Sequence, residues 1–205
     1  MNHVKIKICG LRREEDIEAV NQVLPEYIGF VFAESKRQID MTLASKLKDR
    51  LDNRIQTVGV FVNHSVEFIQ ELYQNQIIDL IQLHGDEDAE FIRHLRTVCS
   101  GRIIKAVNVG GEMPILPETA DYLLFDKASG QRGGTGEVFD WNILSDFQKS
   151  PFFLAGGLTP ENAREAVQSL RPYAMDVSSG VETNGFKDPE KIYKFVQNVR
   201  GTMIC

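Results

Sequence analysis

The sequence predicts an α/β protein folded as one closed (β/α)8 TIM barrel over residues 1–205. Eight short, β-rich apolar runs alternate with longer stretches of helical periodicity. The apolar clusters are evenly spaced, with no low-complexity segment and no Pro- or Ser-rich linker at which the chain could divide. The first run is not followed by G-x-G-x-x-G, the fingerprint of the competing open, doubly wound sheet, which usually has about six strands.

In chain order the strand candidates are Lys5–Ile8, Tyr27–Phe32, Thr57–Val62, Leu80–Leu83, Ile103–Val107, Tyr122–Asp126, Phe152–Ala155 and Ala174–Val177. Amphipathic helices are expected at Glu14–Val23, Leu43–Leu51, Val66–Gln74, Ala89–Val98, Trp141–Phe147, Pro160–Leu170 and Pro189–Val199. The fifth interval, VGGEMPILPETA, carries two prolines and two glycines, so its helix should be short or missing. Each unit has roughly 26 residues, near the minimum for a strand, a crossover helix and two loops, so the loops must be short.

Composition narrows the function. A net charge of −6, from 23 basic against 29 acidic residues, gives no broad footprint for nucleic acid or for an anionic membrane surface. No apolar stretch approaches the ~20 residues of a membrane helix, and MNHVKIKICGL lacks the apolar run of a signal peptide, which predicts a cytoplasmic protein. Cys9, Cys99 and Cys205 are odd in number and lack metal-ligand spacing, so disulfide and zinc readings drop out.

Active sites of this fold lie at the C-terminal ends of the strands. The residues there are Cys9-Gly10, Glu34 to Arg37, Asn63, His84-Gly85, Asn108, Asp126-Lys127, Ala155 to Gly157 and Ser178 to Gly180, a polar set. Alternation along the first strand turns Lys5, Lys7 and Cys9 one way and Val4, Ile6 and Ile8 the other. With the apolar set against the helices, Lys7 lies inside the barrel and Cys9 at its rim. A buried ion pair of Lys7 with Asp176, on the adjoining eighth strand, is favoured over a Schiff-base lysine.

A lone cysteine is commonly an inert small hydrophobe. At a catalytic mouth, near cations or helix N-termini, a thiol can instead have its pKa lowered from about 8.5 and act as a base. Asp126 ends the apolar run YLLFD; it is either a cap or a partner of Lys127, or a partly shielded carboxylic acid raised enough in pKa to deliver a proton. AGGLTPENA sets a Gly-Gly turn before a capped helix, and DVSSGVE a small-residue turn after the eighth strand. Together they form a candidate phosphate clamp of main-chain N–H groups. Arg37 is either a solvated surface charge or a fork for a substrate carboxylate. His84 in QLHG reads as a hydrogen-bonded structural histidine rather than an acid or base, and stands among the candidate substrate-site residues.

KICGL, IGFVFAESKR, VGVFVN, IQLHG, LLFDK, GGTGEVFDW, LAGGLTPENA and DVSSGVE, in this order from Val4 to Val199, resemble the phosphoribosylanthranilate isomerase family. The resemblance implies a (β/α)8 barrel that converts N-(5-phosphoribosyl)anthranilate to 1-(2-carboxyphenylamino)-1-deoxyribulose 5-phosphate, an Amadori rearrangement of tryptophan biosynthesis. It implies no metal or organic cofactor, a small phosphorylated substrate as the partner, and a monomer or homodimer. Cys9 would be the general base, Asp126 the general acid and Arg37 the holder of the anthranilate carboxylate. Gly156, Gly157, Ser178, Ser179 and Gly180 are the phosphate candidates, and Gly133 to Gly136 resembles a mobile loop. Two other classes compete: a lysine-dependent aldolase using Lys105 or Lys127, and a non-catalytic sensor of a phosphorylated ligand.

Overall fold

The computed structural model describes residues 3–110, 116, 119–127, 140–144, 147 and 150–202. Eight strands, β1 (Lys5–Cys9), β2 (Tyr27–Val31), β3 (Gln56–Phe61), β4 (Leu80–Leu83), β5 (Arg102–Val109), β6 (Tyr122–Lys127), β7 (Phe152–Leu154) and β8 (Ala174–Val177), close into a barrel in sequence order. Neighbours pair in parallel, and β8 returns to β1 with Lys5 opposite Ala174 and Lys7 opposite Asp176. Helices α1 (Glu14–Val23), α2 (Met41–Lys48), α3 (Val66–Gln74), α4 (Ala89–Val98), α5 (Ala163–Leu170) and α6 (Pro189–Arg200) accompany it. A two-stranded hairpin of β9 (Glu182–Thr183) and β10 (Phe186–Lys187) follows β8.

The eight expected strands are all present. Four helices begin where a side-chain oxygen takes an otherwise unpaired N–H of the first turn: Asp40 accepts from Leu43, Ser65 from Phe68, Asp88 from Phe91 and Asp188 from Glu190. Capping by Asp40 starts α2 at Met41, two residues before the expected Leu43. Beyond Lys48 the bonds tighten to Arg50 N–H on Leu47 and Leu51 N–H on Lys48, so the segment expected to end the helix is a closing turn. The expected helix Trp141–Phe147 is a short 3-10 turn over Trp141–Leu144 in its described part. Most of the interval between β5 and β6 lies outside the described residues, as do Gly133 to Gly136.

Alternation along the strands builds two cores. Outward-facing Ile6, Ile8, Ile28, Phe61, Ile81, Ile103, Phe125 and Met175 pack against Ile17, Val20, Leu47, Ile69, Ile92, Val167 and Phe195 of the helices. Inside, the floor of the barrel holds Tyr27, Val58, Leu80, Ile104, Leu124 and Phe153, while its upper rim carries Cys9, Val31 and Val60. Below that floor, Lys5 donates to the Tyr173 hydroxyl at 2.7 Å, and Tyr27 and Tyr122 hydroxyls lie 3.0 and 3.3 Å from it, closing the N-terminal end of the barrel.

Between floor and rim sits the expected ion pair. Lys7, 0% exposed, donates to Asp176 Oδ2 at 2.8 Å across the β1–β8 seam. Burial works against the Lys7 charge, but Asp176 and the neighbouring Cys9 outweigh it and hold the Lys7 pKa above the ordinary lysine value. Breaking such a pair on one side strands a charge in the interior. Lys7→Met should therefore cost about 3–5 kcal/mol in urea unfolding, and Lys7→Met with Asp176→Leu should recover most of it. A single variant as stable as the parent would contradict this role.

Candidate active site

Cys9 is the last residue of β1 and is buried. Its thiol occupies space left by a missing side chain: a Cβ on Gly29 of β2 would stand 2.6 Å from Cys9 Sγ. The next residue, Gly10, has φ +84, and its N–H donates to the Gly29 carbonyl at 2.8 Å, turning the chain away just past the thiol. The cations expected near Cys9 are present as Lys7 and Lys187, yet they do not prevail. Burial pushes the thiol pKa up and outweighs their pull, so of the two readings open in the sequence the lowered pKa is not the one found: the Cys9 pKa is held above its ordinary value.

Asp126 stands on β6, three strands from β1 around the ring. Its Oδ1 accepts the Lys127 N–H at 2.8 Å, and its Oδ2 lies 3.5 Å from His84 Nε2. His84 Nδ1 is in turn 2.9 Å from the Gln82 side-chain amide, which is buried inside the barrel. His84 is thus hydrogen-bonded as expected, and it buttresses Asp126. Gly156, after β7, has φ +81 and lies flat against Asp126, because a Cβ there would be 2.9 Å from Oδ1.

The two small-residue turns converge. Gly157 has φ +69, which leaves its N–H clear of the strand ladder. Gly180 packs so tightly on the Leu158 carbonyl that no Cβ fits between them. Among the described residues the Gly157, Ser179 and Gly180 N–H groups have no main-chain acceptor. Asn162 does not cap α5 with its side chain; it turns back, accepting from Thr159 N–H at 2.8 Å and donating to the Gly157 carbonyl at 2.9 Å, which fixes the Gly-Gly turn. Ser178 Oγ donates to the Cys9 carbonyl at 3.0 Å, tying the second turn to β1.

Arg37 lies over Gly10, where a Cβ would meet its Cδ at 2.5 Å, and it is not a solvated surface charge. Its Nε and Nη2 donate to the two oxygens of Glu182 at 2.7 and 2.8 Å. Glu182, Lys187, Asn162 and Gln82 belong to the site without having been singled out in the sequence. Asn162 had a readable signal, since it stands at the N-cap position five residues after the glycine it holds. Lys105, the aldolase candidate, donates to Glu87 Oε2 at 2.9 Å and to the Gly85 carbonyl at 2.7 Å, and Glu87 also accepts the Asn63 and Gly85 N–H groups. This lysine braces the loops after β3 and β4.

A closed parallel barrel with a thiol, a carboxylate and main-chain donors that have no main-chain acceptor among the described residues, gathered at the C-terminal ends of its strands, defines an enzyme of the (β/α)8 class. Residues 6–198 match the family model described as N-(5'phosphoribosyl)anthranilate (PRA) isomerase. The N-(5'-phosphoribosyl)anthranilate isomerase of Endomicrobium trichonymphae is 49% identical over 197 residues, covering 96% of this chain and 98% of the relative. The crystal structure of phosphoribosyl anthranilate isomerase from Thermotoga maritima superposes with a TM-score of 0.84 at 34% identity, covering 97% and 99% of the two chains. A structure of such an isomerase in complex with reduced 1-(o-carboxyphenylamino)-1-deoxyribulose 5-phosphate superposes at 0.81 with 32% identity, over 97% and 99%. The chain belongs to the phosphoribosylanthranilate isomerase family.

The space around the thiol gives a direct test. Gly29→Ala must displace Cys9 Sγ, and a misplacement of about 1 Å at a reacting group can cost ~10²-fold, so kcat for the family's reaction should fall by at least about tenfold with an unchanged circular dichroism spectrum. A variant with full kcat would show that the thiol position does not matter.

Proposed function

We propose that this chain, as one catalytic domain over residues 1–205, converts N-(5-phosphoribosyl)anthranilate to 1-(2-carboxyphenylamino)-1-deoxyribulose 5-phosphate in tryptophan biosynthesis, with Asp126 as general acid and Cys9 as general base. The observation that carries the roles is the placing of the two groups on β1 and β6, on either side of a mouth whose anion donors lie between β7 and β8. Asp126 gives its proton to the furanose ring oxygen as the bond from that oxygen to C1 breaks and the anilino nitrogen forms a double bond to C1. The Cys9 thiolate then takes the proton from C2, and the electron pair moves to give an enolamine. Loss of the C2 hydroxyl proton and protonation at C1 complete the aminoketone. Two protons are delivered, to the ring oxygen and to C1, and two are removed, from C2 and from its hydroxyl, so the sum is an isomerisation.

The geometry suits this division. Burial raises the Cys9 pKa, which makes the thiolate a stronger base once formed, and Lys7 beside it favours the charged form. His84 and the Lys127 N–H hold Asp126 toward the mouth. Gly156, Gly157, Ser178, Ser179 and Gly180 would receive the phosphate dianion on main-chain N–H groups, which only glycines and small residues let two turns offer together. Arg37 would receive the anthranilate carboxylate, and His84 would border the sugar from beside Asp126.

The partner on this reading is a small phosphorylated molecule and the setting cytoplasmic; among the described residues no helix is long and apolar enough to cross a membrane. A structure described as monomers generated from the dimeric Thermotoga maritima enzyme is similar to this chain at a TM-score of 0.80. The proposed site lies within one chain, so monomer and homodimer would both serve.

Loss of phosphoribosylanthranilate fluorescence with purified protein tests the reaction itself. Cys9→Ala should lower kcat by at least ~10²-fold with little change in KM, and Asp126→Asn should fall by a similar factor and lose the alkaline limb of its pH–rate profile, where the acid would otherwise give up its proton. Retention of more than about half the activity by Cys9→Ala, or an unaltered profile for Asp126→Asn, would remove the respective role.

The phosphate assignment separates side chain from backbone. Ser179→Ala should cost no more than one hydrogen bond to a charged group, about 1.5–3 kcal/mol, whereas Gly157→Val, forced to φ +69, should weaken competitive inhibition by inorganic phosphate further while the fold persists. Equal inhibition of the parent and the Gly157→Val enzyme would place the phosphate elsewhere.

A further inference from the structure

The hairpin after β8 folds back to the mouth and is tied there at several points. Glu182 on β9 and Lys187 on β10 are cross-strand partners. Lys187, with only 1% of its side chain exposed, donates to Glu182 Oε1 at 2.7 Å and to the Ser178 carbonyl at 2.9 Å. Arg12 donates to the Lys36 carbonyl at 2.7 Å and to the Gly185 carbonyl at 2.8 Å, linking the loop after β2 to the hairpin. The guanidinium groups of Arg12 and Arg13 stack 4.5 and 4.4 Å from the Phe186 ring. Lys191 of α6 holds the Glu182 carbonyl at 2.8 Å.

This bracing ends in one contact that reaches the site. Glu182, 10% exposed in its side chain, grips one edge of the Arg37 guanidinium through both carboxylate oxygens. A guanidinium carries five N–H donors in a fixed plane, so clamping the Nε edge leaves the Nη1 edge as a second two-point fork of set direction. The local charges are two cations, Arg37 and Lys187, against one carboxylate, which leaves one positive charge for an incoming anion. Burial pushes the Glu182 carboxyl up in pKa, but Arg37 and Lys187 outweigh it and hold it below the ordinary value, so the clamp stays charged.

We propose that Glu182, held in place by Lys187, is a positioning residue that fixes the plane of Arg37 and so aims its open edge at the substrate carboxylate. The proposal rests on the reading of Arg37 as the carboxylate site. Lys187 extends the same device to the other end of the substrate, because its second bond holds the Ser178 carbonyl at the base of the proposed phosphate turn. Without Glu182 two cations would face each other, and the guanidinium would be free to turn.

The test is steady-state kinetics of Glu182→Gln, Arg37→Ala and the double variant, with phosphoribosylanthranilate and with its analogue lacking the carboxylate, phosphoribosylaniline. Glu182→Gln should raise KM for the carboxylate substrate about tenfold, the worth of one misaligned charged contact, with kcat within about threefold. It should leave KM for the analogue unchanged, and it should add nothing in the Arg37→Ala background. A bridge that merely stabilises the fold would instead act alike on both substrates and in both backgrounds, and that result would overturn the proposal. If Glu182→Gln does not fold, Glu182→Asp keeps a charge beside Lys187 but is too short to reach both Arg37 donors; its KM should rise for the carboxylate substrate alone, and an unchanged KM would overturn the proposal. Arg37→Ala with an unchanged KM would sink the carboxylate reading and this inference together. A raised KM in Arg37→Ala with none in Glu182→Gln would sink the inference alone.

Discussion

The structure depends on one buried contact, the Lys7–Asp176 ion pair where β8 returns to β1. Closing a parallel sheet needs its first and last strands to register, and a charged pair of 0% and 7% side-chain exposure cannot slip by one residue without stranding both charges. Alternation does the rest: with Lys7 inward, Cys9 is inward two residues later and therefore at the rim, while Ile6 and Ile8 meet the helices. The same register carries Asp176 inward and puts Ser178 at the mouth, where its hydroxyl reaches the Cys9 carbonyl. The pair that fixes the seam thereby sets the thiol and one of the two small-residue turns relative to each other.

Above that seam, absent side chains matter as much as present ones. Gly29 leaves room for the thiol, Gly10 for Arg37, Gly156 for Asp126, and Gly180 for the Leu158 carbonyl. At Gly10 and Gly156 the backbone is also left-handed, so two restrictions coincide. Charge is organised around them in braced groups. Glu87 and Lys105 lock the loops after β3 and β4, and Glu182 and Lys187 lock Arg37 and the turn after β8. Each carboxylate has a specific cation and further N–H or ammonium donors, the condition under which partly buried charge is tolerated.

Much of this was legible in the sequence because it follows from local periodicity. The eight strands are β-rich runs of the right length, and the Lys7–Asp176 pair could be anticipated although 169 residues separate its members, since closure makes β1 and β8 neighbours and alternation puts both residues inside. Element ends were less legible, because they are set by single side chains: Asp40 starts α2 early, and Asn162 spends its side chain on the Gly157 turn instead of a cap. The direction of the Cys9 pKa was not legible, because nearby cations can be guessed from sequence while the depth of burial cannot. The Arg37–Glu182 clamp, 145 residues apart, escaped notice for another reason: it depends on how a hairpin outside the barrel folds back, and strand alternation says nothing about that.

The central claim is that one substrate spans this mouth, with its phosphate on the two glycine turns, its carboxylate on Arg37, and its sugar between Cys9 and Asp126. The most direct measurement is a crystal structure of this chain with reduced 1-(o-carboxyphenylamino)-1-deoxyribulose 5-phosphate, the compound bound in the similar isomerase structure. The account predicts the phosphate between Gly156-Gly157 and Ser178 to Gly180, the carboxylate on the open edge of Arg37, and the second sugar carbon beside Cys9 Sγ. A phosphate bound away from those turns, or a sugar that leaves the Cys9 thiol out of reach of its second carbon, would contradict it.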